Sequence, residues 1–378
     1  MSKETILKEL KPSIRKNWEA FGFPEFTTIQ AKAIPHILKN TDVVCESPTG
    51  TGKTLAYLLP CLHKINEENK GLQAIILAPS RELVMQITDQ VRTWSKGTEI
   101  KCTPLIGGGN IKKQIEKLKD RPQIIVGTTG RIIELMKMKK LKTHEVKTII
   151  VDEADQLVSD EHFQHIRDII KSTLKDRQVL FFSATISTRT EEIAKTIMKD
   201  PEIIRVNREK QSSNVDHIYF SCEQRDKVDF LRKLISTKLG KSIVFIKSLE
   251  KIAEVEAKLK YHGYPVAVLA GESTKQERVK TMKDIRTGKI TTLLTTDVAA
   301  RGLDIENITH VIHFDFPKTD AQYLHRSGRT GRMGKKGTVI SLVNAIEESF
   351  LKKMSKQLGL TFTKMRLYEG KITKVKEK

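Results

Sequence analysis

Between Asp42 and Arg205, short apolar runs alternate with helix-period segments: DVVCES, AIILAPS, KCTPLI, QIIVG, TIIVDE, VLFFSAT and EIIRV. A strand with one solvated face alternates apolar and polar residues, whereas a strand covered on both faces is apolar throughout. These runs therefore predict a parallel sheet with helices on either side, a doubly wound α/β domain over residues 1–207. The polar stretch REKQSSN predicts a linker, placed at 208–213. The rhythm then restarts with HIYFSC, SIVFI, PVAVLA, TTLLTT, HVIHF and TVISLV, which predict a second α/β domain over 214–360. Past Leu360 the pattern dissolves into TFTKMRLYEGKITKVKEK, lysine-rich and short of apolar residues, and is read as a short basic tail over 361–378.

Composition supports this division. A chain of 378 residues exceeds one ordinary core. No apolar run is long enough to span a bilayer, and the first residues, MSKETILKELKPSIRKNW, carry charges where a signal peptide needs an apolar core, so the expectation is a soluble, cytoplasmic protein. Cys45, Cys61, Cys102 and Cys222 are scattered without CxxC pairing, which argues against a disulfide framework or a zinc site; they are read as buried thiols. His162 and His165 have a metal-compatible spacing but no partner nearby, and are read as a solvated helix face. Lys and Arg total 67 against 46 acidic residues, a formal charge of +21, which favours a polyanionic partner.

Two strings carry the chemistry: TGTGKT at Thr49–Thr54 and VDEAD at Val151–Asp155. Gly50 and Gly52 let a loop turn tightly and aim its N–H groups at phosphate oxygens just before a helix N-terminus. Lys53 would neutralise the β and γ phosphates and Thr54 would reach Mg2+. Ser47 stands where the general phosphate loop has its first glycine, and with Thr49 and Thr51 completes the cradle. Because VDEAD follows TIIV, Asp152 and Glu153 emerge at the C-terminal end of a strand, where open sheets bind ligands. Asp152 would hold the metal, largely through water, and Glu153 would orient or deprotonate the attacking water. Alone, DEAD could be an acidic helix cap; following a phosphate loop, it reads as an NTPase.

TTIQ, SPTGTGKT, PSREL, GGGN, GTTGR, VDEAD, SAT, VFIKS, TTDVAARGLDI and HRSGRTGR occur in this order along the chain. The set resembles the DEAD-box ATP-dependent RNA helicases, in particular their short bacterial two-domain members, and so implies two tandem RecA-like doubly wound domains. The resemblance assigns Gln30 to the adenine edge, which selects ATP. It assigns Arg329 and Arg332 to the γ phosphate, Gly302 and Asp304 to the composite nucleotide site, and Asp297 to the ribose. RNA phosphates and sugars would be met by Arg81, Gly108, Gly109, Thr128 and Arg131 on the first domain and by Arg278 and Thr296 on the second, without reading of bases. Asp155, Ser183, Thr185, His325 and Arg326 would couple the nucleotide and RNA sites.

The chain departs from the family pattern in four places. Thr5–Leu7 lacks the upstream aromatic that stacks on adenine, although Phe21, Phe23 and Phe26 lie nearby. Phe26 and Thr129 stand where the family commonly has proline, and Lys275 stands where it has glutamine. The implied activity is an RNA-stimulated ATPase whose closure on one RNA strand locally unwinds short duplexes. The implied setting is ribosome assembly or cold adaptation, with ribosomal particles as partners. The competing readings are an ATP-gated RNA clamp with little strand separation and, more remotely, a double-stranded DNA translocase. Strand displacement measured beside ATP turnover separates the first, and stimulation by RNA against DNA separates the second.

Overall fold

The computed structural model describes residues 3–48, 50–158, 160–206, 215–270, 273–300, 305, 307–331 and 335–375, with the side chains of Asp160, Glu161, Lys275, Val298 and Ala321 excepted. The predicted linker at 208–213 and the site residues Thr49, Gly302, Asp304 and Arg332 lie outside the described residues. The chain divides into two compact units, Met1–Glu209 and Lys210–Lys378.

In the first unit, all seven apolar runs are strands: β1 (Val43–Glu46), β2 (Ala74–Leu77), β3 (Cys102–Leu105), β4 (Ile124–Gly127), β5 (Thr148–Asp152), β6 (Gln178–Ser183) and β7 (Glu202–Arg205). They form one parallel sheet in the order β3-β4-β2-β5-β6-β1-β7. Every residue of β2, β4, β5 and β6 is buried, as continuous hydrophobicity requires of strands with helices on both faces. The core accordingly has two layers. On one side of the sheet, Ile76, Val126, Ile150 and Leu180 pack with Tyr57, Leu58 and Trp94. On the other, Ile75, Ile125, Ile149 and Phe181 pack with Ile132, Ile166 and Ile169. Three N-terminal helices, α1 (Lys3–Glu9), α2 (Pro12–Phe21) and α3 (Thr28–Leu38), join the first layer through Ile6, Trp18 and Ile34.

The second unit carries β8 (Val215–Ser221), β9 (Ser242–Phe245), β10 (Val266–Leu269), β11 (Thr292–Thr295), β12 (His310–His313) and β13 (Gly337–Val343) at the expected runs. The expected tail is structured instead. After α16 (Ala345–Leu358), β14 (Phe362–Tyr368) pairs parallel with β8, and β15 (Lys371–Lys374) folds back antiparallel on β14. The sheet order is therefore β10-β11-β9-β12-β13-β8-β14-β15. The segment is short of apolar residues because only one face of the hairpin is covered: Met365, Leu367 and Ile372 pack on the core while Lys364, Arg366 and Tyr368 face out.

In the first unit's parallel sheet the C-terminal ends of the strands, and the loops that follow, lie along one edge. The chemistry of VDEAD and of the segments after β1, β3, β4 and β6 collects there.

Candidate active site

The phosphate loop joins β1 to α4 (Lys53–Lys64). Gly52 sits at φ +89°, a conformation that disfavours any side chain, and a Cβ there would overlap the amide of Gln30. Ser47 Oγ lies 2.7 Å from Thr51 Oγ1, which donates to Pro48 O at 2.7 Å. Lys53 Nζ donates to Ser47 O at 2.5 Å and to Pro48 O at 3.0 Å, so its charge is held on the loop's own carbonyls at the start of α4. Gly50, at φ +79°, is exposed beside it, and Thr54 is half-buried in the first turn of the helix.

Gln30 is buried, and its side chain has two partners. Oε1 accepts from Thr27 N–H at 2.9 Å, closing a capping box on α3, and Nε2 donates to Gly52 O at 3.1 Å. The residue expected at the adenine edge thus also ties α3 to the phosphate loop. Phe23 and Phe26 are held in an aromatic cluster with Trp18, at centroid distances of 5.2 and 4.2 Å, while Phe21 stacks on Trp94 at 4.8 Å.

The carboxylates stand at the end of β5. Asp152 is 5% exposed; its Oδ1 accepts from Glu153 N–H and its Oδ2 from Tyr57 O–H, both at 2.9 Å. Desolvation, aided by the neighbouring Glu153, pushes the Asp152 carboxyl up to about 6 against the opposing pull of Lys53. Burial and Asp152 hold the Tyr57 hydroxyl well above its usual range, so it remains a donor. No motif singles out Tyr57 in the sequence. The available signal is its spacing four residues after Lys53, which puts both on one face of α4.

Glu153 has left-handed backbone, φ 51° and ψ 49°, and caps α8 (Ala154–Leu157), with Gln156 Nε2 donating to its Oε2 at 2.8 Å. Asp155 is bonded to the segment after β6: its Oδ2 accepts from Thr185 Oγ1 at 3.1 Å, and its N–H donates to Ser183 Oγ at 3.3 Å. One short turn therefore reaches the phosphate-loop helix through Asp152 and the SAT segment through Asp155.

The first-unit RNA candidates gather on neighbouring loops. Gly108, at φ +67°, follows β3, and the Arg81 guanidinium lies where a Cβ on Gly108 would project. Thr128 precedes α7 (Thr129–Lys137), and its Oγ1 accepts from Gly107 N–H at 3.4 Å. Arg131 is not displayed to solvent: it is 7% exposed, donates twice to Gly109 O at 3.3 and 3.2 Å, and pairs with Glu134 at 2.8 Å. Its guanidinium braces the GGGN loop. Gln114, which no motif marks either, clamps the same loop by exchanging bonds with Ile106 N–H and O, each at 3.1 Å.

His162 and His165 do not form a solvated face. Both are half-buried on α9 (Asp160–Lys171), and His162 Nδ1 lies 3.2 Å from Thr129 Oγ1 on α7. Helix α9 packs on α7, and that contact replaces water. Among the described residues no cluster of His, Cys, Asp and Glu could hold a metal through three ligands. Cys45 and Cys61 are buried, whereas Cys102 and Cys222 are half-buried; burial pushes Cys61 and Cys102 to about 12 and Cys222 to about 11, so all three stay protonated.

In the second unit, Asp297 opens α14 (Asp297–Ala300) after Thr296, whose Oγ1 accepts from Ala299 N–H at 3.3 Å. The Asp297 carboxylate is already engaged. Arg326 Nε and Nη2 donate to Oδ1 and Oδ2 at 2.6 and 2.7 Å, and Gln322 Nε2 donates to Oδ2 at 2.6 Å. It anchors Arg326 within the second unit. Arg326 is buried, donates to Asp315 O at 2.6 Å, and lies 5.0 Å from the Phe245 ring centroid. His325 and Arg329 are half-buried, on and just beyond α15 (Asp320–Ser327). Arg278, on α13 (Lys275–Arg286), is half-buried and donates to Ala270 O at 3.0 Å and Ser273 O at 3.4 Å.

Comparison with known proteins decides the family. Residues 27–193 match the DEAD/DEAH box helicases and residues 226–334 match the helicase conserved C-terminal domain. The chain is 50% identical over 373 residues to the DEAD-box ATP-dependent RNA helicase CshC of Bacillus cereus, covering 99% of this chain and 96% of that one. The chain belongs to the DEAD-box ATP-dependent RNA helicases. A second relative, the probable ATP-dependent RNA helicase YfmL of Bacillus subtilis, is 50% identical over 368 residues, 97% of this chain and 98% of that one. Among solved structures, S. cerevisiae Dbp5 bound to RNA and ADP BeF3 matches with TM-score 0.86 at 32% identity, covering 96% of this chain and 95% of that one. Mss116p bound to ssRNA and AMP-PNP matches with TM-score 0.86 at 26% identity, covering 98% and 80%.

This DEAD-box protein is therefore an RNA-stimulated ATPase and helicase built of two RecA-like units. Among its described residues no helix is long and apolar enough to cross a membrane.

Proposed function

We propose that this helicase uses the turn at Asp152–Asp155 to report the state of ATP to bound RNA, and that each closure on one strand separates a short duplex locally. The observation that carries the proposal is the double connection of that turn, to Tyr57 of the phosphate-loop helix and to Thr185 beyond β6. Phosphates would lie on the amides of Gly50–Thr54, and Lys53 would exchange its two loop carbonyls for phosphate oxygens. Glu153 would position the attacking water, with its proton drawn toward that carboxylate. Arg329 and Arg332 would supply positive charge as the transferring group becomes more anionic. Arg81, Gly108, Gly109 and Thr128 would meet the RNA backbone, while Arg131 holds their loop in shape.

The donor set at the end of β5 suits Mg2+: Asp152, Glu153 and Thr54 offer oxygen only, and the desolvated Asp152 carboxyl lacks a full compensating charge. Thr54 and Asp152 would hold the ion, largely through water, and when bound it neutralises phosphate charge.

Residues 1–207 and 214–360, the latter extended by the β14–β15 hairpin, would act as the two working domains, in the cytoplasm. The +21 charge favours large RNA targets, and ribosomal particles during assembly or cold adaptation are the proposed setting. Strand displacement measured beside ATP turnover is the test. Displacement that falls steeply with duplex stability supports local separation, because base stacking costs about 1.4 kcal/mol per step. Turnover without displacement of even a short duplex would make the protein a clamp instead.

A further inference from the structure

The β14–β15 hairpin has an outer face that the helicase motifs do not use. Along β14, every second residue from Lys364 is cationic or aromatic: Lys364, Arg366 and Tyr368. Across the turn, the antiparallel register sets Thr373 opposite Arg366 and Lys371 opposite Tyr368, and residues paired in this way project from the same side. Tyr368 is 55% exposed, yet the Arg366 guanidinium lies 5.3 Å from its ring centroid and restrains it.

The cations on this face are not equivalent. Lys364 is neutralised by Glu348, with Nζ 3.3 Å from both carboxylate oxygens. Among the described residues neither Arg366 nor Lys371 has an ion-pair partner. A core-facing hairpin needs nothing from its outer side but solubility, which scattered mixed charges provide. Here the outer side instead holds an ordered aromatic between two uncompensated cations.

We propose that the outer face of the β14–β15 hairpin is an auxiliary binding site for single-stranded RNA, with Tyr368 stacking on a base and Arg366 and Lys371 holding phosphates. An aromatic platform flanked by cations is the chemistry that grips single strands without reading sequence. A membrane or protein partner would demand apolar area that this face lacks. The site is separate from the motif-borne RNA residues of the same unit. Thr296 follows β11, and β15 lies six strand spacings from β11 in the sheet order, roughly 30 Å away. The hairpin would therefore engage RNA beyond the segment held by the motifs.

The test uses the full chain and its Arg366→Ala/Tyr368→Ala/Lys371→Ala variant, with thermal unfolding to confirm that the exposed substitutions leave the fold intact. RNA-stimulated ATPase is followed with single strands of about 8 nucleotides, within one typical single-strand site, and about 25 nucleotides, longer than one such site. With the longer RNA, KM for RNA should rise about tenfold at unchanged kcat, the loss of one stacked base; with the shorter RNA nothing should change. The slope of log affinity against log salt should fall by about 1.4 for the longer strand, two phosphate contacts at about 0.7 each. Lys371→Ala should weaken long-RNA binding more than Lys364→Ala. Equal losses from these two single variants, or a triple variant indistinguishable from the parent on long RNA, would overturn the site. The short-RNA arm tests the helicase reading separately: if the parent were not stimulated by either strand, that reading would fail and not the hairpin alone.

Discussion

Asp152 and Asp297 are both acidic motif residues close to the C-terminal ends of parallel strands, and the protein treats them in opposite ways. Asp152 is buried with a phenol and a backbone N–H for partners and a like-charged neighbour, which leaves its charge under-compensated. Asp297 takes a two-pronged guanidinium and an amide, so its charge is spent inside the second unit. A carboxylate kept short of partners is suited to capture a cation; one paired with a buried guanidinium holds that guanidinium in place. The difference teaches that membership of a motif does not settle a residue's task. The surrounding donors do.

The largest expected effect concerns the arginines. Arg329→Ala should lower RNA-stimulated kcat by on the order of 10³-fold with ATP affinity of the first unit largely kept, the scale of an arginine finger. Normal turnover in this variant would remove Arg329 from the site. Arg326 should behave otherwise, because its charge is matched by Asp297. Asp297→Ala leaves it buried without its carboxylate and should destabilise the second unit by about 3 kcal/mol in denaturant unfolding. If that variant unfolded like the parent and lost only nucleotide affinity, Asp297 would be a ligand after all.

Asp152 provides the converse. Its carboxyl is pushed up to about 6 from an ordinary 3.8, so the folded protein binds this proton more tightly than the unfolded chain. Ionised Asp152 therefore costs stability at neutral pH, on the order of 3 kcal/mol, and the cost fades as pH falls from above 6 toward 4. Asp152→Asn should unfold at higher urea than the parent at pH 7.5, with the gap narrowing at pH 5. A constant gap would show that the buried charge is compensated. The smallest effect is that of Tyr57→Phe, about 1 kcal/mol, the ordinary worth of one hydrogen bond. It should raise the apparent pKa for ATP-dependent turnover slightly, because Asp152 loses a donor to its ionised form.

Local sequence was enough to specify the two-unit α/β plan and the DEAD-box family. Thirteen expected strands match β1 to β13; the signal is clearest in the central ones, such as β2, β4, β5, β6, β9 and β11, which are buried on both faces and so continuously apolar, and weaker at β3 and β7, whose residues are only partly buried. The TGTGKT and VDEAD strings were equally legible, since phosphate binding needs glycine, lysine and a helix start at fixed spacing. Long-range packing settled the rest. β14 and β15 are hidden in the sequence because a hairpin covered on one face alternates and is diluted by lysine, and its place depends on pairing with β8 from more than a hundred residues earlier in the chain. Tyr57 as partner of Asp152, Arg131 as brace of Gly109, and Arg326 as partner of Asp297 are contacts between elements distant in sequence. Composition specifies which groups are available. Only the packed arrangement, which excludes water and so obliges each buried polar group to find a partner, decides which of them remain to meet a ligand.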